Sequence, residues 1–184
     1  MVTLDFRVRN GGITVRPRGW TGNAAGMMEN GLRSQLSSFP RCGKGYRLSF
    51  QQAQSFINGL VIFAAACPEA LKLNGVGKVV ALDGGMSFPR APNKPPVRVD
   101  MWVDGEVLCA QVVEGLWFEE DIAADLPQGT VADEDGVWRV PLGHQSYRLM
   151  LFLGIIRACY PEMLHLRGLQ DVLADIQARR VAAQ

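Results

Sequence analysis

The sequence is poor in the residues that advertise chemistry. It holds two histidines, His144 and His165, and four cysteines, Cys42, Cys67, Cys109 and Cys159. No two cysteines form a C-x-x-C pair and no H-E-x-x-H run occurs, so a four-ligand zinc site would have to gather widely separated residues. No metal and no cofactor is therefore expected. No Gly-x-Ser-x-Gly elbow is present, and a Ser or Cys nucleophile could reach His144 or His165 only through the fold. Phosphate loops fail on their spacing. For Gly77-Lys78, Lys72 and Val79 stand where a glycine and a Ser or Thr are needed; for Gly43-Lys44, Ser38 and Gly45 do. The acidic runs 119–121 and 133–135 read as solvated surface.

Long apolar runs are missing as well. The longest, around residues 60–67, falls far short of the about 20 residues that a membrane-spanning helix needs. Asp5, Arg7 and Arg9 interrupt the start, so no secretory signal peptide is read there. The cysteines lie mostly in apolar segments and read as reduced core fillers. A cytoplasmic protein with no membrane association is expected.

What is present is an ordinary globular composition: 184 residues, 48% hydrophobic, 20% charged, net charge +1. That is enough for one compact domain, 1–184. The charge is uneven, however. Residues 1–100 carry 13 Lys/Arg against 5 Asp/Glu, and residues 101–184 carry 6 against 13. Four prolines within residues 88–96 rule out helix or interior strand there. The domain thus divides into internal halves, 1–87 basic and 97–184 acidic, joined by a Pro-rich loop, 88–96. Such asymmetry marks a nucleic-acid face, halves or subunits that attract each other, or a fold that mixes the halves so that no surface is basic.

The start alternates cleanly. Val2, Leu4, Phe6 and Val8 interleave with Thr3, Asp5, Arg7 and Arg9, the period of a half-buried strand. Asn10-Gly11 favours a tight hairpin turn, and folding about it sets Val8 on Ile13 and Phe6 on Val15. These apolar residues are expected to face the core. Residues 23–38 fit a weak helix, and 42–46 a loop. Ser49 with Gln52 forms a capping box for a helix over 49–67, with Phe56, Leu60 and Phe63 buried. Residues 76–82 read as a strand. A second hairpin turns at Asp104-Gly105, with Val99, Met101, Leu108 and Ala110 on one face. Residues 117–126 suggest a short acidic helix, and 130–140 a third hairpin. A buried helix over 146–160 carries Leu149, Phe152 and Ile156, and an amphipathic helix follows Gly168. The fold class is α+β: antiparallel β-hairpins forming a sheet packed by two buried helices, plus a C-terminal amphipathic helix. Such ingredients also suit ferredoxin-like RNA-binding folds, an analogy at the level of fold alone.

One internal echo stands out. Residues 66–75, ACPEALKLNG, resemble residues 158–168, ACYPEMLHLRG, with one insertion. The echo marks either a duplication or two helices that end alike, with Pro as stop and Gly as turn.

The best-supported functional pattern is basic. Arg7, Arg9, Arg16 and Arg18 fall on one face of the first hairpin, with Trp20 next to them. Arg41, Lys44 and Arg47 lie in a nearby loop with Tyr46. Guanidinium groups fork onto phosphates and aromatic rings give bases a stacking surface. Asp5, opposite Arg16, neutralises part of this patch. The expectation is a non-enzymatic accessory or subunit protein that contacts nucleic acid, RNA or DNA, or an acidic protein, as part of a larger assembly or homo-oligomer. The alternatives are a scaffold subunit that self-associates through opposite charges, and a small enzyme without a recognisable motif.

Overall fold

The computed structural model describes residues 1–9, 12–20, 26–83, 96–115, 130 and 132–182. The expected Asn10-Gly11 turn, the Pro-rich segment up to residue 95 and the acidic helix at 117–126 lie outside them. The chain divides into two compact units, Met1–Ser87 and Phe88–Gln184. Both are α+β. No helix among the described residues is long and apolar enough to cross a membrane.

Unit 1 runs β1 (Val2–Arg9), β2 (Gly12–Arg18), α1 (Met27–Ser37), β3 (Arg41–Cys42), β4 (Gly45–Leu48), α2 (Phe50–Asn58), α3 (Val61–Ala66), β5 (Leu71–Asn74) and α4 (Val76–Val80), then a 3-10 turn, Ala81–Asp83. Its sheet has the order β3-β4-β2-β1-β5, antiparallel except for the parallel β1–β5 pair. Unit 2 runs β6 (Val97–Asp104), β7 (Val107–Glu114), β8 (Val137–Pro141), α5 (His144–Cys159), β9 (Leu164–Arg167) and α6 (Leu169–Ala182). Its sheet has the order β8-β7-β6-β9, with β6–β9 parallel. Both units open on a hairpin, so neither follows the split β-α-β order of ferredoxin-like proteins.

The period-2 pattern sets the first hairpin. Phe6 pairs with Val15 and Val8 with Ile13. Val2, Leu4, Phe6, Ile13 and Val15 are buried, and the Phe6 ring packs on Phe56 of α2 at 6.3 Å between centroids. Val8 departs from the expectation: near the end of the hairpin it is 36% exposed. Ser49 caps α2 with Gln52 in a reciprocal capping box. The single helix expected over 49–67 is two helices, α2 and α3, that break at Gly59 and Leu60. The break turns Phe63 outward, 37% exposed, and leaves Leu60 half-buried rather than in the core.

Residues 76–82 are helical, not a strand. Gly75 adopts φ 78°, closed to most side chains, and ends β5 there; Val76 and Val79 then bury at a helical spacing of three. The true strand is Leu71–Asn74, where Leu71 and Leu73 alternate inward. The 42–46 loop is a tight hairpin between β3 and β4. In the second hairpin Asp104 pairs with Val107, so the turn is Gly105-Glu106, one residue later than expected. Pairing shifts by two residues, which preserves parity, and Val99, Met101, Leu108 and Ala110 still share the buried face. Leu149, Phe152 and Ile156 of α5 are buried.

The two units share one plan that reaches well beyond similar helix ends. Val2 pairs with Leu71 and Leu4 with Leu73; Val97 pairs with Leu164 and Val99 with Leu166. The amide of Val2 donates to the Ala70 carbonyl at 2.8 Å, and that of Val97 to the Met163 carbonyl at 2.8 Å. Four residues past the start of each short parallel strand stands a left-handed glycine, Gly75 or Gly168, that opens the next helix. A Cβ on Gly75 would strike the Phe6 carbonyl oxygen, and one on Gly168 the Met101 carbonyl oxygen, both well under 3.0 Å.

Candidate nucleic-acid interface

In unit 1 the helices cover one face of the sheet. Alternation then decides what lies on the other. β1 presents Thr3, Asp5, Arg7 and Arg9; β2 presents Gly12, Thr14, Arg16 and Arg18. On β4, Arg47 pairs with Thr14, so it continues the row that Arg7 begins. On β5, Lys72 pairs with Thr3 and Asn74 with Asp5. Five arginines and one lysine therefore share this face with one carboxylate. Arg7, Arg9, Arg18, Arg47 and Lys72 are exposed and Arg16 is half-buried.

Asp5 sits opposite Arg16, as the register requires, but its ion pair is with Arg18, the diagonal neighbour. Its other oxygen accepts from the Asn74 side chain at 3.0 Å. Held this way, Asp5 is only 8% exposed and forms no ion pair with the other cations of the face. Among the described residues no carboxylate forms an ion pair with Arg7, Arg9, Arg16, Arg47 or Lys72.

The remaining candidate residues are not part of this strand-borne row. Tyr46 pairs with Val15 and Arg41 with Tyr46, which puts both on the helix side; the Arg41 guanidinium lies 5.5 Å from the Tyr46 ring centroid. Trp20 is half-buried, with the Arg33 guanidinium 4.5 Å from its ring centroid. Lys44 is exposed in the β3–β4 turn, at the sheet's margin. The sequence reading missed Lys72, although Leu71-Lys72-Leu73-Asn74 carries the same alternation as β1 and could have been read as a strand.

Unit 2 uses the equivalent face differently. Arg98 pairs with Glu114 at 2.7 Å and with Asp100 at 3.5 Å, Arg167 with Asp100 at 2.9 Å, and Arg139 with Asp133 at 2.7 Å. The three arginines of this face are thus each matched by a carboxylate. Trp102, 37% exposed, stands where unit 1 has Arg7.

The two histidines lie on separate elements of unit 2. His144 starts α5 and His165 lies on β9, both exposed. Burial raises the Cys109 thiol above its ordinary value and pushes Cys159 up to about 11; burial and, secondarily, the Glu69 charge raise Cys67. These thiols stay protonated and weakly nucleophilic at neutral pH. Cavities among the described residues are open to solvent. One of about 420 Å³ in unit 2 is lined by Ser146, Tyr147, Met150 and Arg179 among others; one of about 430 Å³ in unit 1 lies between α1 and α2, against Phe39 and Phe56. Neither contains a histidine. Among the described residues no group of three His, Cys, Asp or Glu could hold a metal ion.

Comparison with protein-family models, with curated proteins and with solved structures finds no match to the chain.

Proposed function

We propose that the protein is a non-enzymatic accessory protein that binds nucleic acid by its phosphates through the open sheet face of unit 1. The observation that supports this reading is the alignment of Arg7, Arg9, Arg16, Arg18, Arg47 and Lys72 on one face with a single carboxylate, Asp5, which is held by Arg18 and Asn74. Guanidinium groups make charge-assisted, bidentate bonds to phosphate oxygens. Phosphate contacts release counterions, so affinity falls steeply with salt.

The test is a titration of mixed-sequence nucleic acid at several salt concentrations, with the wild type and with the double variant Arg7→Ala/Arg9→Ala. The wild type should bind at low salt. The double variant should weaken binding equally for all sequences and lower the log–log salt slope by about 1.8 for a duplex, two contacts' worth. Stability should change little, since exposed charges contribute little. Absence of wild-type binding at low salt overturns the reading. Salt-sensitive self-association without nucleic acid would then favour a scaffold in which the net positive unit meets the net negative unit of another copy.

A further inference from the structure

The open face is not a uniform carpet of charge. Its middle strand, β2, carries Gly12 and Thr14 toward one end, with no long side chain at either position. On one side β1 raises Arg7 and Arg9; on the other, β4 raises Arg47. The flanking strands lie about 9.6 Å apart, two strand spacings. A Cβ on Gly12 would come within 3.8 Å of the Arg47 side chain, so the glycine borders that arginine directly. The Thr14 hydroxyl forms part of the floor and donates to the Arg7 carbonyl at 3.4 Å. Arg16 and Arg18 continue the β2 line beyond the trough.

On the phosphate-binding reading above, we infer that this trough seats one sugar–phosphate backbone of a double-stranded nucleic acid, without reading its sequence. Two observations point to a duplex rather than a single strand. First, the aromatic side chains that would receive unstacked bases already have cationic partners: Tyr46 lies on the helix side near Arg41, and the Trp20 ring is faced by Arg33. The described residues of the open face are Thr, Asp, Asn, Gly, Cys, Lys and Arg. Single-strand binders rely on such rings as stacking platforms. Second, a face that works by charge favours the denser polyanion. A duplex carries one charge per about 1.7 Å of axis against about 3.4 Å for each strand, and each neutralised phosphate contributes a salt slope of about 0.9 rather than 0.7. Base edges are not required, because phosphate contacts carry no sequence information.

The experiment compares a DNA duplex of mixed sequence, a second duplex of unrelated sequence and the separated strands, each titrated at low and at moderate salt. The protein variants are the wild type, Thr14→Glu and Thr14→Val. The two duplexes should bind alike and at least several-fold more tightly than either strand. Thr14→Glu, which puts a carboxylate between Arg7 and Arg47, should weaken duplex binding at least tenfold. Thr14→Val keeps the β-branched shape without the charge and should bind within about twofold of the wild type. Single strands binding as tightly as duplexes would overturn the duplex inference while leaving phosphate binding intact. A folded Thr14→Glu that binds the duplex as the wild type does would remove the trough as the seat. Failure of every wild-type titration at low salt would overturn the phosphate reading itself.

Discussion

Replacing Gly168 with alanine tests one atom against one carbonyl. The residue has φ 82°, and the added Cβ would strike the Met101 backbone oxygen. Two costs follow. The left-handed conformation costs an L-residue about 1–2 kcal/mol. The collision adds to it, because backbone rather than a yielding side chain stands in the way. Relief requires β9 to move from β6, which weakens a ladder running from Val97–Leu164 to Asp100–Arg167. Losing one or two of its hydrogen bonds costs about 0.5–1.5 kcal/mol each. The expected total is about 2–5 kcal/mol, a large share of the usual stability of a domain. Gly105→Ala supplies the control. It has φ 57° but open space around its Cβ, so it should lose only the conformational cost, about 1–2 kcal/mol. Gly75→Ala and Gly43→Ala form the same pair in unit 1. Urea denaturation followed by tryptophan fluorescence suits unit 2, since Trp138 is buried in its core. Equal midpoints for Gly168→Ala and Gly105→Ala would refute the reasoning.

Two further outcomes are expected. Phe56→Ala should cost about 3–5 kcal/mol, because Phe56 is buried against Phe6 and Phe39, whereas Phe63→Ala should cost about 1–2 kcal/mol because that ring is 37% exposed; similar denaturation shifts for both would contradict the break between α2 and α3. The Val137 amide, then the Arg139 guanidinium, hold the Asp133 carboxyl below its ordinary value. A lowered folded value means that the stabilisation is complete above the unfolded carboxylate value, about 3.9, and is lost as pH falls through the folded one. The wild type should therefore lose more stability on acidification than Asp133→Asn does, and parallel pH profiles would show that the loop is not held this way.

The parts of the fold legible in the sequence are those where two local signals agree. In β1 and β2 the alternation and the turn chemistry gave the same register, and the structure has it. The capping box at Ser49 and Gln52 marked the start of α2 because both partners are local in sequence. The misread parts depend on contacts that local pattern does not carry. An unbroken apolar run read as one helix, although Gly59 and Leu60 divide it and turn Phe63 out. Residues 76–82 read as a strand because Val76, Val79 and Val80 favour strands, but the left-handed Gly75, placed against β1, starts a helix there. The site was partly legible for the same reason. Parity put Arg7, Arg9, Arg16 and Arg18 together from sequence, whereas Arg47 and Lys72 joined them through pairings between distant strands. Arg41, Tyr46 and Trp20 were grouped by proximity in sequence, which does not determine the face.

The shared plan of the two units separates what the fold requires from what is free to differ. Gly75 and Gly168 are both demanded by a carbonyl that leaves no room for a Cβ. Asp5 and Asp100 occupy the same place in the first strand of each unit, and each is bound by the residue opposite on the short parallel strand, Asn74 or Arg167. These correspondences are explained by backbone geometry and by the opposite partner that each partly buried carboxylate is given on the parallel strand. Other positions on the same face show no such demand. Thr3 answers to Arg98, Arg7 to Trp102, Arg9 to Asp104 and Lys72 to His165. Both versions support the same sheet, so stability does not dictate an excess of cations in unit 1 or matched ion pairs in unit 2. Concentrated like charge is unfavourable for a folded domain unless something of opposite charge is drawn to it. The neutralised face of unit 2 shows that this scaffold folds without such an excess, which is why the proposal assigns the cations of unit 1 to a bound polyanion rather than to folding.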